Sequence, residues 1–171
     1  MVIRVNEPLL EAKGRPAAIS LAVYTLRAME MWKRHVSDYD SAMIMIAVIA
    51  ISAERLLRSE LDPQYGPLSQ AIDLKLLGKC NVTSIAHATG LNRESTRRKV
   101  NDLIKRGRLA RLEDGTIFFR TGLTQESAVR ELVRRQMVEI ATVFERLLRL
   151  GVLDCGTAPR INGAPPRRAP S

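Results

Sequence analysis

Between Val82 and Phe119 the chain reads VTSIAHATGLNRESTRRKVNDLIKRGRLARLEDGTIFF, two short helical patterns joined by a glycine turn and followed by two short strand patterns. Few backbone routes suit that succession. Ile85 and the small Ala86 fall where a first helix would cross a second, and Gly90 supplies the positive φ that a tight turn between them demands. Asn92 is placed to cap the second helix with its side-chain oxygen, just before RESTRRKVNDLIKRG resumes helical spacing. On that helix Thr96, Val100, Leu103 and Ile104 share one face, and Glu94, Arg97, Arg98, Asn101 and Lys105 share the other. After Gly107 the segments RLARL and TIFFR flank Glu113-Asp114-Gly115, and an Asp-Gly pair predicts a hairpin closed by a two-residue type I′ turn.

Helix, turn, helix and basic hairpin in this order resemble the DNA-binding domain of bacterial winged helix-turn-helix transcriptional regulators, over roughly a quarter to a third of the chain. In that family a small residue, a turn glycine four positions later and a buried residue six beyond it recur; here they are Ala86, Gly90 and Thr96. The resemblance implies that Arg93, Glu94, Ser95, Arg97, Arg98, Asn101 and Lys105 face the major groove of double-stranded DNA. The fold class it implies is mainly α with a small β-hairpin wing, flanked by N- and C-terminal dimerisation helices. That layout is similar to the MarR-like architecture. The hairpin tip departs from the pattern, because MarR-like wings carry a basic Asp-x-Arg-type tip and this one is acidic and short. Phosphate contacts are therefore expected from Arg111 and Arg120 on the strands.

Charge points the same way. From Asn81 to Leu123 nine Lys or Arg face four Asp or Glu, a net of +5, and the whole chain of 171 residues carries +9. A solvated face mixes signs more evenly. Each cation that neutralises a phosphate also releases counterions and so supplies affinity. On charge alone a membrane surface would serve as well, but the apolar run from Ala42 to Ile51, even extended through Ala53, spans only about 18 Å as a helix. A bilayer core needs roughly 30 Å. A helix apolar nearly all round must be covered on several sides, which in a chain this small predicts a second subunit.

The remaining pattern divides the chain into an N-terminal helical region (1–60), the winged domain (66–123), a C-terminal helix (124–153) and a basic, disordered tail (154–171). Met1 to Arg15 reads as an irregular leader. Pro16 opens a helix to about Val36, and Ser37-Asp38-Tyr39-Asp40-Ser41 ends it and starts another to Ser59. LSQAIDLKLLG, ending at Gly78, reads as the first helix of the winged domain. Thr124 is placed to cap the last helix, whose apolar stripe is Val129, Val133, Met137, Ile140, Phe144 and Leu147. With the N-terminal helices it predicts a homodimer.

Catalytic chemistry has no foothold. No nucleophile with a base, no paired carboxylates and no Gly-rich phosphate loop appears, and His35 and His87 lack zinc-site spacing, so no enzyme activity, cofactor or metal is expected. Cys80 reads either as an ordinary core cysteine or, if Lys79 lowers its pKa, as an oxidation sensor. Met29, Met31, Met43 and Met45 read either as core filler or as the lining of a small-molecule effector pocket in the helical layer. Two cysteines and no apolar leader place the chain in the cytoplasm, at the nucleoid. The functional expectation is a homodimeric, sequence-specific transcriptional regulator. The alternative is a non-catalytic winged-helix module that binds protein, or non-specific DNA as an architectural factor.

Overall fold

A computed structural model describes residues 2–58 and 63–156. The chain is mainly helical with a small antiparallel hairpin. In order come β1 (Val2–Val5), α1 (Glu7–Lys33), α2 (Tyr39–Arg58), α3 (Val82–Thr89), α4 (Arg93–Lys105), β2 (Leu109–Arg111), β3 (Ile117–Phe119), α5 (Ser127–Leu150) and β4 (Leu153–Gly156). Among the described residues these elements divide between two compact units, one drawn from residues 23–140 and one that joins residues 2–22 to 141–156. The tail from residue 157 lies outside the described residues.

The larger unit is built around α2. Ile44, Met45, Ala47 and Val48 are buried against Ile85, Val100, Leu103, Leu109, Ile117 and Leu123. Fully burying each of the larger aliphatic side chains contributes about 1.5–3 kcal/mol. This corrects the reading of the Ala42–Ile51 run, because the chain's own α3, α4 and hairpin cover most of it and only Met43 and Ala50 are left exposed. LSQAIDLKLLG, expected to be a helix, does not form an α-helix. Asp73 is extended (φ −64°, ψ 126°) and its carboxylate accepts from the Lys75 N–H, while Leu77 is extended again, so only a 3₁₀ turn survives at Leu74–Leu76. A side chain that bonds its own backbone competes with the helix in this way. Gly78 then passes so close to α2 that its N–H donates to the Ser52 carbonyl at 2.7 Å.

The smaller unit replaces the expected leader and the first residues of the expected tail with a strand pair. β1 and β4 are antiparallel, with Val2 opposite Gly156 and Val5 opposite Leu153. Ala17, Leu147 and Val152 form its core. Helix α1 begins at Glu7, not at Pro16, and kinks at Lys13 (φ −126°, ψ 18°). Pro16 explains the kink, since it has no N–H for the Ala12 carbonyl and its ring crowds that carbonyl.

Helix α5 starts at Ser127. Thr124 lies in a preceding 3₁₀ turn, Leu123–Gln125, and does not cap it. Of the expected stripe, Leu147 is buried and Val129, Val133 and Ile140 are half-buried, but Met137 and Phe144 are 59% and 42% exposed. Leu132 is buried in their place.

Candidate functional site

Local capping fixes α3 and α4. The Asn81 Oδ1 accepts from the Ser84 N–H at 3.0 Å and the Ser84 hydroxyl oxygen accepts from the Asn81 N–H at 2.9 Å, a reciprocal capping box. Gly90 ends α3 in the left-handed region (φ 70°), the conformation that turns the chain back within two residues. The Asn92 Oδ1 accepts from the N–H groups of Glu94 (2.9 Å) and Ser95 (3.4 Å) and so starts α4. Thr96 is fully buried, with its hydroxyl donating to the Asn92 carbonyl at 3.0 Å. Val100 and Leu103 are buried beside it. The opposite face is thereby outward: Arg93, Glu94, Arg97, Arg98 and Lys105 are exposed, and Ser95 and Asn101 are half-buried.

The hairpin follows directly, with Leu109 opposite Phe119 and Arg111 opposite Ile117. Its turn is not the expected type I′. That type needs positive φ at both central residues, whereas here Gly115 (φ 84°) is the only one of the loop in that region. The Gly115 N–H donates to the Leu112 carbonyl and the Leu112 N–H to the Thr116 carbonyl. The Asp-Gly pair therefore sits one place later, in the type I turn with a left-handed glycine that closes three-residue hairpin loops. The tip is held to its surroundings by Asp114, which accepts from the Thr116 N–H at 3.0 Å and lies 3.5 Å from the Lys79 ammonium. Arg111 reaches from β2 to α4 and donates to the Asn101 Oδ1 at 3.0 Å. An open cleft of about 680 Å³ lies here, lined among others by Thr83, Asn92, Arg93, Glu94, Arg97 and Arg111.

The cations around this surface fall into two groups. Arg93, Arg98 and Lys105 make no ion pair among the described residues, and all three are exposed. Arg97 instead forks onto Glu94 at 2.6 and 2.9 Å, and that bond holds the Glu94 carboxyl below its ordinary range. Lys99 is turned inward, 2.8 Å from Asp38 and 3.6 Å from Asp40 at the start of α2. Burial would raise the Asp38 carboxyl, but hydrogen bonds from Lys99, the Ser41 N–H and the Ser37 and Ser41 hydroxyls outweigh it and hold the group well below the usual carboxylate range. Arg120, expected to contact phosphate, donates to the Gly107 carbonyl at 2.6 Å and pairs with Glu126, which also takes Arg108 at 3.2 Å. Arg120 thus ties the end of the hairpin to the turn after α4.

Cys80 is fully buried between α2 and α3, and its carbonyl accepts the Ile117 N–H at 2.7 Å. Burial pushes its thiol up and Lys79 points instead to Asp114, which removes the basis of the oxidation-sensor reading. The four methionines do not gather at one site: Met45 is in the core, Met43 is exposed, and Met29 and Met31 are half-buried on α1. Among the described residues no cluster of three or more His, Cys, Asp or Glu is arranged to hold a metal ion, and no helix is long and apolar enough to cross a membrane. Neither Lys99–Asp38 nor Arg120–Glu126 is visible in the sequence, since nothing local marks which cations will find a carboxylate. The chain matches no protein-family model, no curated protein and no solved structure.

Proposed function

We propose that α3, α4 and the β2–β3 hairpin form a winged helix-turn-helix that binds double-stranded DNA, with α4 in the major groove, and that the protein is a non-enzymatic transcriptional regulator of MarR-like layout. The observation that carries this reading is the division of α4 into a buried face of Thr96, Val100 and Leu103 and an outward face with the exposed cations Arg93, Arg98 and Lys105, which make no ion pair among the described residues. A helix packed on one side and cationic on the other is what groove insertion requires. Arg111, set by Asn101, supplies a backbone contact beside it. Arg97 contributes after giving up Glu94, and Glu94, Ser95 and Asn101 offer polar groups to base edges.

The regulator acts as a homodimer at the nucleoid. Because α2 is buried within its own chain, the side chains left for a second copy are exposed apolar groups of α1 and α5, among them Ile19, Leu26, Met137 and Phe144. Sedimentation at micromolar concentration tests this. A dimer is expected, Phe144→Glu should dissociate it without unfolding the chain, and a monomeric parent refutes it.

Selection of bound sequences from random duplex DNA tests the main reading. A regulator should prefer its cognate site by at least about 10³ over bulk DNA. Arg93→Ala with Arg98→Ala should weaken binding to that site, by about 1–3 kcal/mol for each arginine that reads a base. A folded double variant that binds as tightly as the parent overturns the α4 assignment, and binding without sequence preference leaves the architectural module as the better description.

A further inference from the structure

The outward side of α4 carries a definite pattern of donors and acceptors. The side-chain acceptors that reach its surface are Glu94, Ser95, Asn101 and Asp102, and arginines take three of these four. Arg97 donates to both Glu94 oxygens, at 2.6 and 2.9 Å. Arg111, from β2, donates to the Asn101 Oδ1 at 3.0 Å, and Arg106 pairs with Asp102 at 2.9 Å. The Asn101 amide is thereby set, with its oxygen occupied and only its NH2 group left to give. The Ser95 hydroxyl serves either way. Against these stand the donors Arg93, Arg98 and Lys105, which are exposed and in no ion pair among the described residues. No apolar side chain of α4 is exposed, since Ile104 is half-buried against the core.

A base edge in the major groove must match that pattern. Guanine presents two acceptors, N7 and O6, and no donor; adenine presents an acceptor and a donor, cytosine a donor, and thymine an acceptor and a methyl group. Reading adenine in a bidentate manner takes an amide with both halves free, which Asn101 lacks while Arg111 holds its oxygen. The thymine methyl group takes an apolar contact, which this face does not offer. Opening the Glu94–Arg97 fork leaves the match unchanged, because the freed guanidinium suits guanine and the freed carboxylate suits the cytosine N4 of a G·C pair.

We infer that α4 reads guanines: Arg93 and Arg98 each hold the N7 and O6 of one, and Arg111, acting through the Asn101 oxygen, keeps adenine out of the position that Asn101 faces. The inference rests on the major-groove placement proposed above and adds the class of sequence bound. Arg111 is in it a positioning residue.

The test uses the full chain and the duplex enriched by selection from random DNA. That duplex should hold at least about two guanines in each half-site at which A·T costs about ten- to a hundredfold in affinity. Replacing these guanines by inosine, which keeps N7 and O6 and lacks only the minor-groove amino group, should change binding by less than about threefold, whereas 7-deazaguanine, which lacks N7, should weaken it at least about fivefold. Arg111→Ala should weaken binding to all sequences through loss of a phosphate contact, and should raise the relative affinity for A·T at one position about threefold or more. An enriched site of A·T pairs alone, indifference to 7-deazaguanine, loss of binding on inosine substitution, or an Arg111→Ala preference identical to the parent's overturns this inference and leaves the DNA reading standing. The absence of any enriched sequence removes the regulator reading itself, and this inference with it.

Discussion

The protein contains two small antiparallel strand pairs that are held by different means. Strands β2 and β3 are joined by five residues, and Leu109, Ile117 and Phe118 are buried. Strands β1 and β4 pair across 147 intervening residues, and Val2, Ile3 and Val5 remain 40% or more exposed. Closing the longer loop costs about 3 kcal/mol more in chain entropy on the logarithmic scaling of loop length. That cost falls on the packing of Ala17, Leu147 and Val152, because the strands themselves bury little. Backbone pairing thus finishes the terminal unit, while side-chain burial creates the hairpin.

The largest effect should come from the shared core of the hairpin and α2. Leu103→Ala or Ile117→Ala removes a fully buried aliphatic group and should cost about 2–5 kcal/mol in urea unfolding, whereas Ile3→Ala, opposite Cys155, should cost under about 0.5 kcal/mol. Equal losses at Ile117 and Ile3 would erase the distinction.

A smaller effect should appear where α4 is tied to the start of α2. Asp38→Ala loses the oxygen that accepts the Ser41 N–H and should cost about 1 kcal/mol. Asp38→Asn keeps a capping oxygen and removes the charge facing Lys99. The Asp38 carboxyl is held low in the folded chain, so its contribution is complete above the unfolded value of about 4 and fades as pH falls toward the folded one. The difference between the parent and Asp38→Asn should therefore be constant near neutrality and shrink in acid; a gap that widens in acid would show the sign to be wrong. Because the pair is partly exposed, the gap should also shrink in high salt.

Gly115→Ala should cost about 1 kcal/mol, all of it from the left-handed backbone, since no atom stands within 4 Å of the added Cβ. The smallest perturbation is Ile3→Pro. It should speed amide exchange in Val2–Val5 and Leu153–Gly156 and leave Leu109–Arg111 and Ile117–Phe119 unchanged, so an equal fall in protection at both strand pairs would mean that they open together.

What could be read in the sequence was local. The caps at Asn92, the turn at Gly90 and the two faces of α4 each depend on residues within four positions, and each is found where the sequence puts it. The hairpin was legible as a hairpin, but its turn was not, because the Leu112–Thr116 pair extends the ladder and displaces Asp114-Gly115 from the centre. LSQAIDLKLLG misleads because its apolar spacing suits a helix while Asp73 is free to capture the Lys75 N–H. The apolar surface of α2 called for a cover without saying whose, and its partners Ile85, Val100 and Ile117 lie about 40 to 70 residues away. The pairing of Lys99 with Asp38, 61 positions apart, is likewise a product of tertiary placement.

The pairing of Val2–Val5 with Leu153–Gly156 makes the described chain almost a ring, with the backbone at residue 2 running beside that at residue 156. Order along a ring has no privileged starting point. A few residues joining Gly156 to Val2 would leave every described strand and helix with its present neighbours, and the opening could then be moved to an exposed connection elsewhere. In such a circular permutant the pairing of β1 with β4 would become a local hairpin, and the entropy now spent on bringing distant segments together would be spent at the new opening.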